Sequence, residues 1–121
     1  MKLLLCVKCS DIVRLELKKF KSCNCGLSGG VYNDNLNATV WGPKDKTFIL
    51  GFANGSLVKA LREQINQGDS KNTMIYGSET VTKGRDFSAF IIPESASSIT
   101  RYYSDWQSDD KFKHMAEYLN E

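Results

Sequence analysis

The sequence has little of what catalysis usually requires. His114 is the only histidine in 121 residues. It falls beside Met115 in a predicted last helix, where a solvated or half-buried position accounts for it without a catalytic role. There is no nucleophile-elbow serine, no zinc-protease helix and no Walker-type phosphate loop. Acidic residues are scattered rather than paired at a telling spacing. The expectation is therefore a protein that is not an enzyme. No apolar run approaches the length of a transmembrane helix. The net charge of +2 is too small to imply a nucleic-acid or membrane partner by itself. The apolar start at Leu3-Leu4-Leu5 is too short for a signal peptide, and no small-residue cleavage site precedes Cys6. The chain reads as cytoplasmic, with no membrane partner.

What is present fits one compact domain spanning 1–121. Hydrophobic residues make up 41% and charged residues 25%, ordinary proportions for a folded soluble chain. No repeat, low-complexity tract or linker interrupts it.

Four cysteines lie in the first twenty-five residues and none follows. They form two tight pairs, Cys6-Val7-Lys8-Cys9 and Cys23-Asn24-Cys25, with thirteen residues between them. Each pair can offer two thiolates from one turn, and together they supply the four ligands of a tetrahedral ion. In a reducing cytosol such pairs are more often metal ligands or redox groups than disulfides. A redox C-x-x-C would open a helix. Here the strand-like Ile12-Val13-Arg14-Leu15-Glu16-Leu17 follows instead. Structural zinc is the leading reading; another metal, a redox role and free thiols remain alternatives. A site closed by four thiolates leaves no position for substrate, so it predicts structure rather than catalysis.

Periodicity outlines the rest. Lys2–Cys6 and Asp11–Leu17 read as strands of a hairpin, part of a zinc-ribbon-like subdomain over 1–30. Leu27–Gly30 reads as a flexible turn. Val31-Tyr32, Ala38–Trp41 and Thr47–Phe52 read as strands, the last buried on both faces. Leu57, Val58, Leu61 and Ile65 recur at helical spacing, with Ser56 as N-cap and Gly68 as stop. Met74–Gly77 and Phe87–Ile92 read as strands, the second ended by Pro93. Ser108-Asp109-Asp110 opens a last helix with Phe112, Met115, Ala116 and Leu119 on one stripe. Strands, helix, strands, helix predict an α+β fold with a mostly antiparallel sheet and two helices.

Three groups are candidates for binding. Ser28, Gly29 and Gly30 can form a backbone nest for an anion, and Ser56 opens a helix whose free N–H groups favour one. A flexible connector and an ordinary cap explain the same residues. Arg101 and Tyr102, near Tyr103 and Trp106, are of the types that dominate binding surfaces, and equally of the types that pack. Lys18, Lys19 and Lys21 around Phe20 suit single-stranded nucleic acid, or a solvated strand edge guarded by lysines.

The segment from Cys6-Val7-Lys8-Cys9 to Cys23-Asn24-Cys25-Gly26 resembles zinc-ribbon and rubredoxin-like knuckle proteins. The longer string with Asp11-Ile12-Val13, Ser28-Gly29-Gly30, Tyr32, Ala38 and Gly42-Pro43 resembles small uncharacterised proteins of bacteria and their phages. The resemblance implies a zinc site at Cys6, Cys9, Cys23 and Cys25, and carries no substrate. Its second pair departs from the usual C-x-x-C. The overall expectation is a zinc-anchored binding protein that captures a small anionic, nucleotide-like ligand or a host protein. The alternative is a zinc-ribbon nucleic-acid binder.

Overall fold

A computed structural model describes residues 2–71 and 73–119, the side chains of 116–119 excepted. The fold is α+β with mostly antiparallel sheets. Its elements are β1 (Lys2–Cys6), β2 (Asp11–Arg14), β3 (Lys21–Ser22), β4 (Gly29–Tyr32), β5 (Ala38–Trp41), β6 (Thr47–Phe52) and α1 (Asn54–Gln67). They continue as β7 (Thr73–Tyr76), β8 (Glu79–Thr82), β9 (Ala89–Ile91), β10 (Ile99–Tyr102) and α2 (Asp110–Leu119). No helix among the described residues is long and apolar enough to cross a membrane.

Two compact units share the chain. Lys2–Gly51 and the chain from Ile91 onward form the larger; Phe52–Phe90 form the smaller. In the larger unit β1 sits between β2 and β6, antiparallel to both. The chain returns to the larger unit at Ile91, the last residue of β9. There the Ile92 N–H donates to the Ile49 carbonyl at 2.8 Å. A second sheet runs β10-β5-β4-β3, in which only the β10–β5 pair is parallel. Leu4, Leu15, Ala38, Val40, Ile49, Ile92 and Ile99 form the core of this unit. Each fully buried aliphatic side chain of this size contributes about 1.5–3 kcal/mol.

Strand chemistry explains the burial. β5 (Ala-Thr-Val-Trp) is buried at every position because β4 and β10 flank it. β6, expected to be buried on both faces, alternates instead: Thr47, Ile49 and Gly51 point inward, while Phe48, Leu50 and Phe52 are half-buried. The expected flexible turn at Leu27–Gly30 is also corrected. Gly29 and Gly30 open β4 and are buried. They are glycines because neighbours press on them. A Cβ on Gly29 would lie 2.2 Å from Cζ of Phe20, and one on Gly30 would lie 2.9 Å from both Leu15 and Val40.

In the smaller unit α1 ends where expected. Gly68 takes φ 77° and its N–H returns to the Gln64 carbonyl at 3.1 Å. Its start differs, because Ala53 is the N-cap and no side chain caps the helix. The hairpin β7–β8 turns through Gly77-Ser78, with Gly77 at φ 64°. Positive φ at the first turn residue alone is the type II′ arrangement that matches strand twist. Arg85 fastens the unit, donating from Nε to the Gly68 carbonyl at 3.0 Å and from its backbone to Gln64 Oε1 at 2.9 Å.

Candidate metal centre

The four cysteines come together from two sheets. Cys6 ends β1 and Cys9 lies in the turn that leads to β2. Cys23 and Cys25 follow β3, which belongs to the other sheet. All four Sγ atoms lie within 4.8 Å of one another. Cys25 Sγ is 3.7 Å from Cys6 Sγ and 3.5 Å from Cys23 Sγ. A tetrahedral ion with bonds of ~2.3 Å to sulfur places its ligands ~3.8 Å apart. The cluster therefore has the dimensions of a four-thiolate shell, and the short C-x-C spacing does not prevent it. Cys6 and Cys23 are buried, Cys9 is intermediate and Cys25 is exposed.

Both turns are built alike. Cys9 is followed by Ser10 at φ 60°, and Cys25 by Gly26 at φ 76°. A left-handed residue after the second thiol curls the chain so that the next N–H points back at sulfur. The N–H groups of Asp11 and Leu27 do this for Cys9 and Cys25. The Ser28 N–H lies 3.4 Å from Cys23 Sγ. Asp11 joins the two turns by accepting the Asn24 N–H at 3.0 Å.

This donor arrangement polarises the thiols. The Cys25 N–H, with further help from the Asp11 N–H and the Cys25 and Cys6 thiols, lowers Cys9 to about 6 against its partial burial. Cys25 goes the other way. The Leu27 N–H favours its thiolate, but lost hydration and the crowding of Cys23, Cys9 and Cys6 outweigh it and push the group up to about 12. Four sulfurs this close cannot all be anionic alone, and a dication resolves the repulsion.

The centre connects to an aromatic cluster. Trp106 donates from Nε1 to the Gly26 carbonyl at 2.8 Å. Its ring lies 4.8 Å from Phe20 and 5.0 Å from Phe112. Phe20 and Phe112 also meet fully buried Trp41, at 5.9 and 5.4 Å. Asp109 completes the arrangement. Its carboxylate accepts Ser104 Oγ at 2.5 Å, the Lys111 N–H at 2.8 Å and Trp41 Nε1 at 3.2 Å. Hydrogen bonds from Ser104 and the Lys111 backbone, more than Trp41, hold its pKa below the usual carboxylate range. Asp109 thereby caps α2 and ties it to the core. The predicted α2 stripe is half-buried at Phe112 and Met115; the side chains of Ala116 and Leu119 lie outside those described.

The remaining candidates scatter. Ser28 is fully buried, its hydroxyl 2.6 Å from Thr47 Oγ1. Gly29 and Gly30 pair with both β3 and β5, so no open nest exists at Ser28-Gly29-Gly30. Ser56 lies inside the first turn of α1, where its Oγ accepts the Ser88 N–H at 2.8 Å. Phe20 is committed to three aromatic neighbours rather than displayed for base stacking. Lys18 and Lys19 are exposed, and Lys21 lies 3.9 Å from Glu16. His114 is exposed beside Lys111 and Tyr102.

Arg101 and Tyr102 part company because neighbours on a strand face opposite ways. Tyr102 packs 5.2 Å from Trp41, with Lys111 over its ring at 4.6 Å. Arg101 lines a cleft of about 210 Å³ with Lys44, Phe48, Glu94 and Tyr103. Its Nη2 donates to the carbonyls of Ile92 and Pro93, and its buried Nε has no hydrogen-bond partner. Tyr103 donates to Glu94, and Lys44 lies 3.3 Å from the same carboxylate. Alternation along Ile99–Tyr103 is the signal that would have paired Arg101 with Tyr103. Comparison of the chain with protein-family models, with curated proteins and with solved structures finds no match.

Proposed function

We propose that the chain is a binding protein, not an enzyme, whose larger unit is anchored by one structural zinc ion. The observation that carries this is the four-sulfur cluster: its donors come from two sheets, and their number is what a tetrahedral ion needs, which would leave no ligand position for substrate. Zinc suits four thiolates and needs no redox partner, and it would join the β1–β2 turn to the turn that follows β3. Elemental analysis tests the metal. About one zinc per chain is expected, and Cys23→Ser should lower both metal content and melting temperature. Iron at that stoichiometry, or full stability without metal, would remove the zinc reading.

The binding reading centres on the Arg101 cleft. Arg101 and Lys44 supply positive charge, offset in part by Glu94, which holds Lys44 and the Tyr103 phenol and which an anion would have to displace from them; Phe48 is an apolar wall. At about 210 Å³ the cleft is below the ~300 Å³ at which drug-sized ligand pockets begin. It suits a phosphate- or carboxylate-sized group rather than a whole nucleotide. A panel of small phosphates and carboxylates should raise the melting temperature of wild-type protein and leave Arg101→Gln unmoved. Identical melts with and without every member of the panel would sink the anion reading. The nucleic-acid reading has less behind it, because Phe20 packs among aromatic rings.

A further inference from the structure

Arg101 is held in place but not neutralised. Its Nη2 donates to the carbonyls of Ile92 and Pro93, and it makes no ion pair among the described residues. Its Nε is buried without a partner, and Nη1 makes no hydrogen bond among the described residues. Backbone carbonyls orient a guanidinium without cancelling its charge. The carboxylate nearby, Glu94, is committed elsewhere. Tyr103 and Lys44 both contact its Oε1, and Oε2 accepts no hydrogen bond among the described residues. The Tyr103 hydrogen bond first, then Lys44, and with them the charge of Arg101, hold the Glu94 pKa below its ordinary value. Arg101 and Glu94 thus lie close enough to feel each other without pairing.

A bare anion fits this cleft badly. It would meet Arg101 and Lys44, but also the Glu94 carboxylate, and like charges in one site repel. A ligand that carries a cation beside its anion removes the conflict. Its carboxylate can meet Arg101 while its ammonium meets Glu94 in place of Lys44. That exchange costs little, because the side chains of Lys44 and Glu94 are 68% and 48% exposed. Size sets a further limit. The cleft of about 210 Å³ has the room of about seven waters, enough for one free amino acid and not for a peptide. Phe48, Ile91 and Pro93 give it an apolar wall. Every lining residue belongs to the larger unit.

We propose that the Arg101 cleft binds a free α-amino acid with an apolar side chain. Arg101 takes the α-carboxylate, Glu94 the α-ammonium, and Phe48 with Ile91 the side chain. This assignment rests on the anion reading of the cleft and narrows it, since one molecule must now carry both charges.

Calorimetric titration with L-leucine tests it. L-leucine should bind wild-type protein at least about tenfold more tightly than N-acetyl-leucine, which lacks the ammonium, and than leucine methyl ester, which lacks the carboxylate. Glu94→Gln should bring L-leucine down to the level of N-acetyl-leucine, with an unchanged circular dichroism spectrum. N-acetyl-leucine that binds wild type as tightly as L-leucine overturns the amino-acid proposal and leaves the anion reading standing. An advantage of L-leucine that survives Glu94→Gln overturns the role of Glu94 and the proposal with it. Wild-type protein that binds neither L-leucine nor acetate nor phosphate overturns both readings. Should Glu94→Gln fail to fold, the wild-type comparison of L-leucine with its two blocked forms decides.

Discussion

Trp106 and Gly26 stand eighty residues apart in the chain and are joined by a 2.8 Å hydrogen bond from indole to carbonyl. The carbonyl belongs to the turn that presents Cys25, so the turn and the segment leading to α2 share one fastening. Chelation of the metal should therefore loosen Trp106. Its fluorescence should shift to longer wavelength on chelator addition, read as the difference between wild type and Trp106→Phe. Trp106→Phe keeps a ring against Phe20 and Phe112 but loses the donor, and should cost about 1 kcal/mol in denaturant unfolding.

Ser10 holds φ 60° in the first cysteine turn, where Gly26 holds φ 76° in the second. A residue with a Cβ is strained there by about 1–2 kcal/mol, and glycine is not. Ser10→Gly should stabilise the metal-loaded protein by up to about 1 kcal/mol, after the added freedom of the unfolded chain is set against the gain. Gly26→Ala should destabilise it. A Cβ on Gly26 would meet only Gln107 Nε2, at 3.6 Å, so that loss reports the backbone and not a clash. Paired thermal melts check both.

Gly29 sits against the face of the aromatic cluster. Gly29→Ala drives a methyl group to 2.2 Å from Phe20 Cζ and 2.9 Å from the Lys21 carbonyl. Phe20 cannot retreat without displacing Trp106 and Phe112. A loss of about 2 kcal/mol or more is expected, with a weakened near-ultraviolet circular dichroism signal.

Ser28 and Thr47 share a buried hydroxyl pair at 2.6 Å. Thr47→Val keeps the volume and leaves the Ser28 hydroxyl without that partner, at a cost of about 1–3 kcal/mol. The double change Ser28→Ala with Thr47→Val should recover part of that loss, because both polar groups are then gone. A double-mutant cycle by urea unfolding measures the recovery.

Asp109 supplies a pH dependence. Its folded pKa is held below the ordinary value, first by Ser104 and then by the Lys111 backbone. Its stabilising effect is therefore complete above the ordinary carboxylate pKa near ~4 and is lost as pH falls through the lower folded value. Asp109→Asn should melt below wild type at neutral pH, and the gap should close as pH falls below ~4. Melts of the two proteins side by side, at matched metal content, show the closure.

Much of this was legible where the signal is local. The cysteine pairs announce themselves by spacing, Gly68 ends α1 because only a helix stop uses such a residue there, and Asp109-Asp110 sits where a helix start needs acid. The misreadings come from long-range packing. Gly29-Gly30 looks like part of a flexible turn until Phe20, Leu15 and Val40 close on it. Ile99–Tyr102 carries no turn signal that would mark it as a strand, and it becomes one because β5 offers a parallel edge. Glu79–Thr82 was readable as the return strand, since Gly77-Ser78 followed by Glu-Thr-Val-Thr is a hairpin pattern. The outward stripe of α1, where Val58, Leu61 and Ile65 are exposed, could not be foreseen, because periodicity marks an apolar face but not what covers it.

The most direct measurement is the zinc-edge X-ray absorption spectrum of the protein purified without added metal. Four sulfur neighbours at ~2.3 Å from a single zinc per chain are expected. A shell containing nitrogen or oxygen, or protein that carries no zinc and melts as high as the zinc-loaded form, would contradict a structural tetrathiolate centre built from Cys6, Cys9, Cys23 and Cys25.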